Sequence, residues 1–213
     1  LYDSTAVAAN FFNLPLVAYS GENDRQKQAA DAMAKALEKE GIALTHIIGP
    51  KTAHAYERGA KAEVNRRIDA IADNGRTPSP LTSDFVTHSL KNNRGSIGTI
   101  DAMGEEWKPA RLKSSVVARG DGGEGKILQV TAQNVTALTL DLPAGTFLDA
   151  KGIAGIVVNS DAAKTGWHAN TGHSSDGSLK ISLHVENDAL ISGPLTADTL
   201  RKKHGLQGPI DDA

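Results

Sequence analysis

Cysteine is absent from the 213 residues of this chain. Disulfide bonds and thiolate metal sites are therefore excluded, and the redox state of its compartment stays undetermined. Long apolar runs are also missing, since stretches such as Leu14–Tyr19 are far too short to span a bilayer. The chain carries 23 basic and 25 acidic residues, a net charge of −2. This balance, without any basic cluster, argues against nucleic acid and other polyanions as partners.

The sequence also has no initiator methionine and no signal peptide, and it opens at Leu1-Tyr2-Asp3. We therefore expect it to be part of a longer protein, in which any export signal would lie upstream. The cellular location stays open for the same reason. Of the residues present, 39 % are hydrophobic, which is enough for one large domain or two small ones with cores of their own.

Residues 1–75 alternate between strand and helix patterns. Leu14–Tyr19 is a short apolar run typical of a buried parallel strand, and Ile42–Ile48 is a second one. The helix between them ends at Gly41. Its predicted apolar face consists of Ala29, Met33, Ala36 and Leu37. A second helix follows, ending at Asn74-Gly75, and its predicted apolar face consists of Ala60, Val64, Ile68 and Ile71. This order indicates a fragment of a parallel α/β sheet.

The pattern changes after residues 76–81, "RTPSPL", which we interpret as a linker because they contain two prolines and no apolar periodicity. Residues 82–213 show short alternating runs such as "GKILQVTA", with a helix expected only at Thr196–His204. Strands at this spacing are typical of an antiparallel sandwich, in whose core Trp107 is expected to pack. The predicted fold class is therefore α/β, a partial α/β-hydrolase-like parallel sheet, followed by an all-β sandwich-like domain.

Two residues suited to proton transfer follow the two predicted parallel strands. Asp24 lies in a Gly-x-x-Asp turn after the first strand, and His54 lies in the loop "GPKTAHAY" after the second. Successive loops at one edge of a parallel sheet can bring such side chains together. The carboxylate then fixes the imidazole tautomer and stabilises the imidazolium that forms when the histidine takes a proton. In α/β-hydrolases the triad acid likewise precedes the triad base along the chain.

These residues resemble a known family. The stretch "LPLVAYSGENDRQKQAADAMAKALEKEG", followed by "HIIGPKTAHAY" and "NRRIDAIADNGR", is similar to the end of the catalytic domain of prolyl-oligopeptidase-like (peptidase family S9 type) α/β-hydrolases, in their bacterial peptidase and esterase subgroup. The resemblance covers Tyr2 to Gly75 and extends more loosely through the β-rich half. It implies that Asp24 is the triad acid and His54 the triad base of a serine hydrolase acting on an ester, lactone or peptide substrate.

The nucleophile of that family is missing from the sequence, because no Gly-x-Ser-x-Gly motif occurs. The nearest string, "GHSSDG", has Asp176 where the final glycine belongs, and it follows the histidine in chain order. Ser174 within it is therefore a poor candidate. We expect the chain to supply the acid and the base but not the nucleophile. Its partner would then be the missing catalytic half or a second copy of the chain.

Simpler roles are open for the same residues. Asp24 could cap the helix that follows it, and Glu22 could replace it as the acid. Tyr56 and Lys51 flank the histidine and could shape the site. No set of residues with convincing metal-ligand spacing stands out, so we predict neither a metal nor a cofactor. The alternative function is a non-catalytic β-sandwich module that binds a partner.

Overall fold

The chain divides into two compact units, Leu1–Pro78 and Ser79–Ala213. The structure, a computed structural model, describes residues 3–75, 81–119, 125–146, 153–170 and 175–195. The helix predicted at Thr196–His204 lies outside the described residues. Each unit has its own sheet structure and its own buried residues.

The described residues form short strands and two α-helices. In chain order, the strands are β1 (Val17–Gly21), β2 (Thr45–Gly49), β3 (Ser83–Thr87), β4 (Gly98–Met103), β5 (Ala110–Ala118), β6 (Lys126–Gln133), β7 (Val135–Leu142), β8 (Ile153–Ser160), β9 (Trp167–Asn170), β10 (Leu179–Glu186) and β11 (Ala189–Ser192). The α-helices are α1 (Lys27–Lys39) and α2 (Arg58–Asn74), and 3-10 segments occupy Ser4–Asn13 and Leu90–Asn92. No helix in the described part of the chain is both long and apolar enough to cross a membrane.

In the first unit, β1 and β2 form a two-stranded parallel sheet in which Gly21 lies opposite Gly49. Helix α1 connects the two strands, and its Leu37 side chain is fully buried. The helix ends shortly before Gly41, whose φ of 72° is a left-handed conformation that glycine adopts at little cost. Because both strands end at the same edge of the sheet, the turn after β1 and the loop after β2 begin side by side.

The apolar faces predicted for the two helices are only partly buried. Ala29 of α1 is exposed, although Leu37 is buried. Val64 of α2 is buried, whereas Ile68 is 50 % exposed. Helix α1 packs against the first 3-10 segment, and α2 packs mainly against β2. A two-stranded sheet offers each helix a narrow surface, so the buried stripe is shorter than the periodicity predicts.

The second unit contains two sheets around one hydrophobic core. The strand order is β11-β10-β7-β4 in one sheet and β3-β5-β6-β8-β9 in the other. Strand β6 shows how the sequence builds them, because Leu128, Val130 and Ala132 are buried and alternate with exposed polar residues. Leu138 of β7 and Leu112 of β5 belong to the same cluster, so both sheets contribute to one core.

These observations overturn the predicted fold class. The chain is mostly β, with 41 % of it in strands and 25 % in helices, and its strands form several sheets. The described part of residues 1–75 has a sheet of two strands, which is not an α/β-hydrolase sheet. The second unit is not the predicted antiparallel sandwich either, since β6 and β8 pair in parallel. The prediction was wrong because sequence patterns define local units, whereas strand pairing depends on partners that are distant along the chain.

Trp107 does not pack into the core, as was predicted, but is 63 % exposed. It lies between β4 and β5 with a φ of 65°, which is rare for a bulky residue. The Asn134 side chain holds this segment, since it accepts a hydrogen bond from the Glu105 N–H at 2.6 Å and donates to the Glu105 and Lys108 carbonyl groups at 2.9 and 3.1 Å. These hydrogen bonds hold the backbone on both sides of Trp107.

Candidate active site

The turn after β1 holds Asp24 in place. The Asp24 N–H donates to the Gly21 carbonyl at 3.1 Å, and the Lys27 N–H donates to the Asp24 carbonyl at 3.1 Å. The carboxylate oxygen Oδ1 of Asp24 accepts a hydrogen bond from the Gln26 N–H at 2.8 Å. Helix α1 begins at Lys27 and Gln26 makes no side-chain capping hydrogen bond, so the Asp24 carboxylate binds a backbone N–H in the turn immediately before the helix, close to the capping role considered for it. It stabilises the turn that leads into the helix, as aspartate commonly does.

The loop between β2 and α2 is hydrogen-bonded to that turn. The Glu22 N–H donates to the Gly49 carbonyl at 2.8 Å, and the Asn23 N–H donates to the Thr52 carbonyl at 2.8 Å. Both donors belong to the turn after β1, and both acceptors belong to the end of β2 or to the loop that follows it. The two segments carrying the candidate acid and base therefore form one hydrogen-bonded structure.

His54 and Asp24 meet where these two segments join. The Nδ1 atom of His54 lies 2.9 Å from Oδ2 of Asp24. An ionised carboxylate only accepts hydrogen bonds, so Nδ1 carries the proton and Nε2 keeps a free lone pair. The His54 side chain is 77 % exposed and the Asp24 side chain 11 % exposed. A largely buried carboxylate thus orients an imidazole that is open to solvent.

The pKa of the Asp24 carboxyl group is lowered from its ordinary value. The hydrogen bond from the Gln26 N–H is the largest cause, and the hydrogen bond from the His54 side chain is the next. Both interactions favour the charged carboxylate over the neutral acid. Asp24 is therefore ionised at neutral pH, which is the state that an orienting acid requires.

Glu22, the alternative acid, makes a different contact. Its Oε2 atom accepts a hydrogen bond from the Lys51 N–H at 2.7 Å, and the described residues show no hydrogen bond between Glu22 and His54. Lys51 contributes to the site through its backbone, which has a left-handed φ of 54°. Tyr56 packs its ring on Tyr19, with the two ring centroids 4.4 Å apart.

Tyr19 is a residue of this site that the predictions omit. Its phenol oxygen donates a hydrogen bond to the Ala55 carbonyl at 2.9 Å and accepts one from the Glu57 N–H at 2.9 Å. These contacts hold the chain just after His54. A signal was present in the sequence, because a tyrosine interrupts the aliphatic run of β1 two residues before Gly21.

Within the described residues, no serine is hydrogen-bonded to His54. Ser174 lies outside them. Ser20 is close in sequence to the site, but its Oγ atom lies 3.0 Å from Nε2 of His46, whose Nδ1 is 3.9 Å from Asp31. Ser20 is buried and His46 is partly buried in β2. This cluster connects α1 to the sheet, and a buried hydroxyl of this kind is not open to a substrate.

Among the residues that the structure describes, no three His, Cys, Asp or Glu side chains are grouped so that they could hold a metal ion. Comparison of the chain with models of protein families, with curated proteins and with solved structures produced no match. The resemblance to prolyl-oligopeptidase-like hydrolases therefore stays a prediction from the quoted residues.

Proposed function

We propose that Asp24 and His54 are the acid and the base of a serine hydrolase that cleaves ester, lactone or peptide bonds. The observation that carries this proposal is the 2.9 Å hydrogen bond between Oδ2 of Asp24 and Nδ1 of His54. It leaves Nε2 on an exposed imidazole. A base must be both oriented and accessible, and this pair combines the two properties.

In the proposed reaction, Nε2 of His54 removes the proton of a serine hydroxyl while the serine oxygen attacks the carbonyl carbon of the substrate. The resulting imidazolium carries protons on both nitrogens, and Asp24 stabilises its charge through the Nδ1 hydrogen bond. The imidazolium then returns a proton to the leaving alcohol or amine. Water repeats the sequence to release the acyl group and regenerate the serine.

The serine would come from outside the described residues, because none of them offers a hydroxyl group to His54. Its sources are an undescribed part of the chain, the catalytic half that the family resemblance implies, or a second copy. Substrate choice among esters, lactones and peptides depends on groups around that serine. The present chain contributes the oriented base, whichever source supplies the serine.

Hydrolysis of 4-nitrophenyl acetate by the purified chain tests the base without requiring the serine. An accessible neutral imidazole attacks this activated ester through its lone pair, expels 4-nitrophenolate and is regenerated when water hydrolyses the acyl-imidazole. We expect His54→Ala to remove most of the histidine-dependent rate. His168→Ala is the matched control, because His168 is an exposed histidine of the other unit. Equal rates for the two variants would contradict the proposal.

Labelling with a fluorophosphonate probe, followed by peptide mapping, tests where the serine is. An adduct on the chain that disappears in His54→Ala would place the activated serine within these 213 residues. An absence of adduct on the chain, with 4-nitrophenyl acetate hydrolysis that still depends on His54, would mean an accessible base without an activated serine in these residues. Either result supports the proposed base, whereas an adduct that forms equally well in His54→Ala argues against it.

A second candidate function, non-catalytic binding by the β-rich unit, is favoured by the exposure of Trp107. Exposed aromatic residues on rigid supports commonly anchor protein partners, and hydrogen bonds between the Asn134 side chain and the backbone of Glu105 and Lys108 hold the segment that contains Trp107. Isothermal titration calorimetry with soluble peptides and oligosaccharides tests this function. Binding that survives His54→Ala but is lost in Trp107→Ala would favour it over hydrolysis.

A further inference from the structure

The phenol oxygen of Tyr19 contacts the chain on both sides of His54. It donates to the Ala55 carbonyl and accepts from the Glu57 N–H, each at 2.9 Å. On the other side of the histidine it lies 3.3 Å from Oγ1 of Thr52. No other side chain of the described residues has hydrogen bonds to backbone groups of this loop after His54. The phenol oxygen therefore ties the part of the loop after His54 to β1.

The hydroxyl protons of Tyr19 and Thr52 have different acceptors. The single hydroxyl proton of Tyr19 goes to the Ala55 carbonyl, and the hydroxyl proton of Thr52 goes to the Gly49 carbonyl at 2.9 Å. A lone pair of the phenol is then available for the Glu57 N–H. A phenylalanine in place of Tyr19 would leave the Ala55 carbonyl and the Glu57 N–H without these partners.

Two glycines make room for this arrangement. A Cβ atom on Gly49 would lie 2.1 Å from the phenol oxygen of Tyr19, and one on Gly21 would lie 2.0 Å from the Ala53 carbonyl oxygen. Contacts this short do not occur, so a side chain at either position would push the loop away. The ends of β1 and β2 are therefore shaped to accept the phenol and the loop that carries His54.

The far end of the loop is anchored by a helix. The Glu57 carboxylate accepts a hydrogen bond from the Ala60 N–H at 2.6 Å and thereby caps α2. The phenol of Tyr19 binds the N–H of this same capping residue. The loop is thus held between the turn that carries Asp24 and the start of a helix, and Tyr19 supplies the contact at the helix end.

We propose that Tyr19 is a positioning residue, which holds His54 against Asp24 so that the imidazole keeps its proton on Nδ1 and presents Nε2 to the substrate. Its role as a positioning residue rests on the proposed function of the Asp24–His54 pair. Tyr19 acts through the backbone at Ala55 and Glu57, and it does not touch the imidazole in the structure. In this proposal it affects the reaction through the orientation of the base, because its hydrogen bonds reach the backbone of the loop and not the imidazole.

The test compares the histidine tautomers of the whole chain by ¹⁵N NMR in alkaline buffer, where the imidazole is neutral. We expect the Nδ1–H form of His54 to predominate in the native chain. In Tyr19→Phe the ratio of the two forms should shift by about threefold to tenfold toward Nε2–H, because the hydrogen bonds that align the loop are lost. Exchange of the Glu57 amide proton should become faster in the same variant.

Tyr56→Phe is the matched control. It removes a phenol oxygen from the same loop, and this oxygen makes no hydrogen bond in the described structure. The substitution also keeps the ring that packs on Tyr19. We expect this variant to keep the native tautomer ratio. Gly49→Ala is a second variant, which should shift the ratio by displacing the phenol oxygen while the hydroxyl group stays present. Tyr19→Phe and Gly49→Ala alter the same contact in different ways, so both should shift the tautomer ratio toward Nε2–H.

An unchanged tautomer ratio in both Tyr19→Phe and Gly49→Ala, with folded protein in each case, would overturn the positioning role. This outcome is distinguishable from a failure of the proposed function. If the ratio shifts in Tyr19→Phe but 4-nitrophenyl acetate hydrolysis does not depend on His54, Tyr19 positions a histidine that is not a base. If the ratio shifts in Tyr19→Phe and 4-nitrophenyl acetate hydrolysis does depend on His54, we expect the rate of that hydrolysis in Tyr19→Phe to fall by about tenfold or more, because displaced catalytic groups commonly cause losses of this size.

Discussion

The two units of the chain differ in what holds them together. The first unit buries few apolar side chains among its described residues, and these are Ala8, Ala9, Leu37, Ala60 and Val64. The second unit buries a continuous cluster of large aliphatic side chains from both of its sheets, including Leu112, Leu128 and Leu138. The first unit thus depends more on hydrogen bonds between its loops, and the second depends more on its hydrophobic core.

The candidate chemistry lies in the unit with the smaller core. Asp24 and His54 are on loops at one edge of a small sheet, where side chains can be oriented and still reach solvent. In the second unit a comparable polar pair is structural. Asp84 is buried there, and its carboxylate accepts hydrogen bonds from Arg111 at 2.7 and 2.5 Å. Both carboxylates are largely buried, and the pairs differ because the partner is an imidazole that is 77 % exposed in the first unit and a guanidinium that is 25 % exposed in the second.

The largest expected effect is a loss of stability after truncation of the core of the second unit. Leu138 is 0 % exposed in the central part of its sheet, so Leu138→Ala should lower the free energy of unfolding by about 2–5 kcal/mol. The matched control is Leu14→Ala in the first unit, where the side chain is 59 % exposed and the change should stay within about 0.5 kcal/mol. Urea unfolding with peptide-resolved hydrogen exchange measures both. Similar losses in the two variants would contradict the comparison.

A smaller loss is expected where loops of the first unit meet. Gly21→Ala would place a Cβ atom 2.0 Å from the Ala53 carbonyl, and the loop shift should cost about 1–3 kcal/mol of unfolding free energy. Gly59→Ala is the control, because the nearest neighbour of a Cβ atom at this helical glycine would be a side-chain oxygen of Glu57 at 3.1 Å rather than backbone. It should change stability by less than about 1 kcal/mol. Thermal unfolding of both variants measures the two effects. A loss of stability in Gly59→Ala equal to that in Gly21→Ala would refute this account.

Replacement of Trp107 should have little effect on stability. Its side chain is 63 % exposed, so Trp107→Ala should change the free energy of unfolding by no more than about 0.5 kcal/mol. Chemical unfolding of this variant beside the native chain measures the difference. Acrylamide quenching of the fluorescence provides an independent check, since the quenchable part of the emission should disappear with Trp107. A loss of several kcal/mol would mean that the ring is part of a core.

The smallest expected effect is a change in the pKa of Asp24 after His54→Ala. The folded-state pKa lies below the ordinary value of 3.8, and the hydrogen bond from His54 is the second cause after that from Gln26. The pKa should therefore rise toward 3.8 and stay below it, because the Gln26 N–H remains. Carboxyl ¹³C NMR titration measures this shift. The pKa of Asp31, which Lys27 lowers, should not change.

The sign of the pH dependence follows from the same shift. A carboxyl group with a lowered folded-state pKa stabilises the fold above its unfolded-state pKa. That contribution is lost as the pH falls through the folded-state pKa. The first unit should therefore lose stability as the pH falls from the unfolded-state pKa of Asp24 through its folded-state pKa. The loss should be smaller in His54→Ala, because the folded-state pKa of Asp24 is then less strongly lowered. A larger acid sensitivity in His54→Ala would contradict the hydrogen bond between the two side chains.

The local elements of the first unit were predictable, but the fold class was not. The run Leu14–Tyr19 and the run Ile42–Ile48 both overlap observed strands, because short apolar runs with flanking glycines have few alternatives. The number of strands that join a sheet has no comparable local signal. The parallel pairing of β6 with β8 illustrates this, since the two strands are separated by β7, which belongs to the other sheet.

The candidate site shows the same limit at the level of single residues. Asp24 and His54 could be named from the sequence because each follows a strand in a turn or loop. Tyr19 stands out in the sequence as a tyrosine within an aliphatic run, but its role could not be predicted, since it depends on where the Ala55 carbonyl and the Glu57 N–H lie in space. The segment that contains Trp107 is likewise held by a residue distant along the chain, Asn134, whose side chain is hydrogen-bonded to the backbone of Glu105 and Lys108.

The sequence by itself determined the order of strands and helices in residues 1–75 and the two loops on which a carboxylate and an imidazole are found. These features depend on the spacing of apolar residues and on glycines, which act over a few positions of the chain. The tertiary structure alone decided which strands pair, how much of each helix is buried, and that the Nδ1 atom of His54 lies 2.9 Å from Asp24. Those features depend on contacts between residues distant along the chain, whose free energies no local pattern contains.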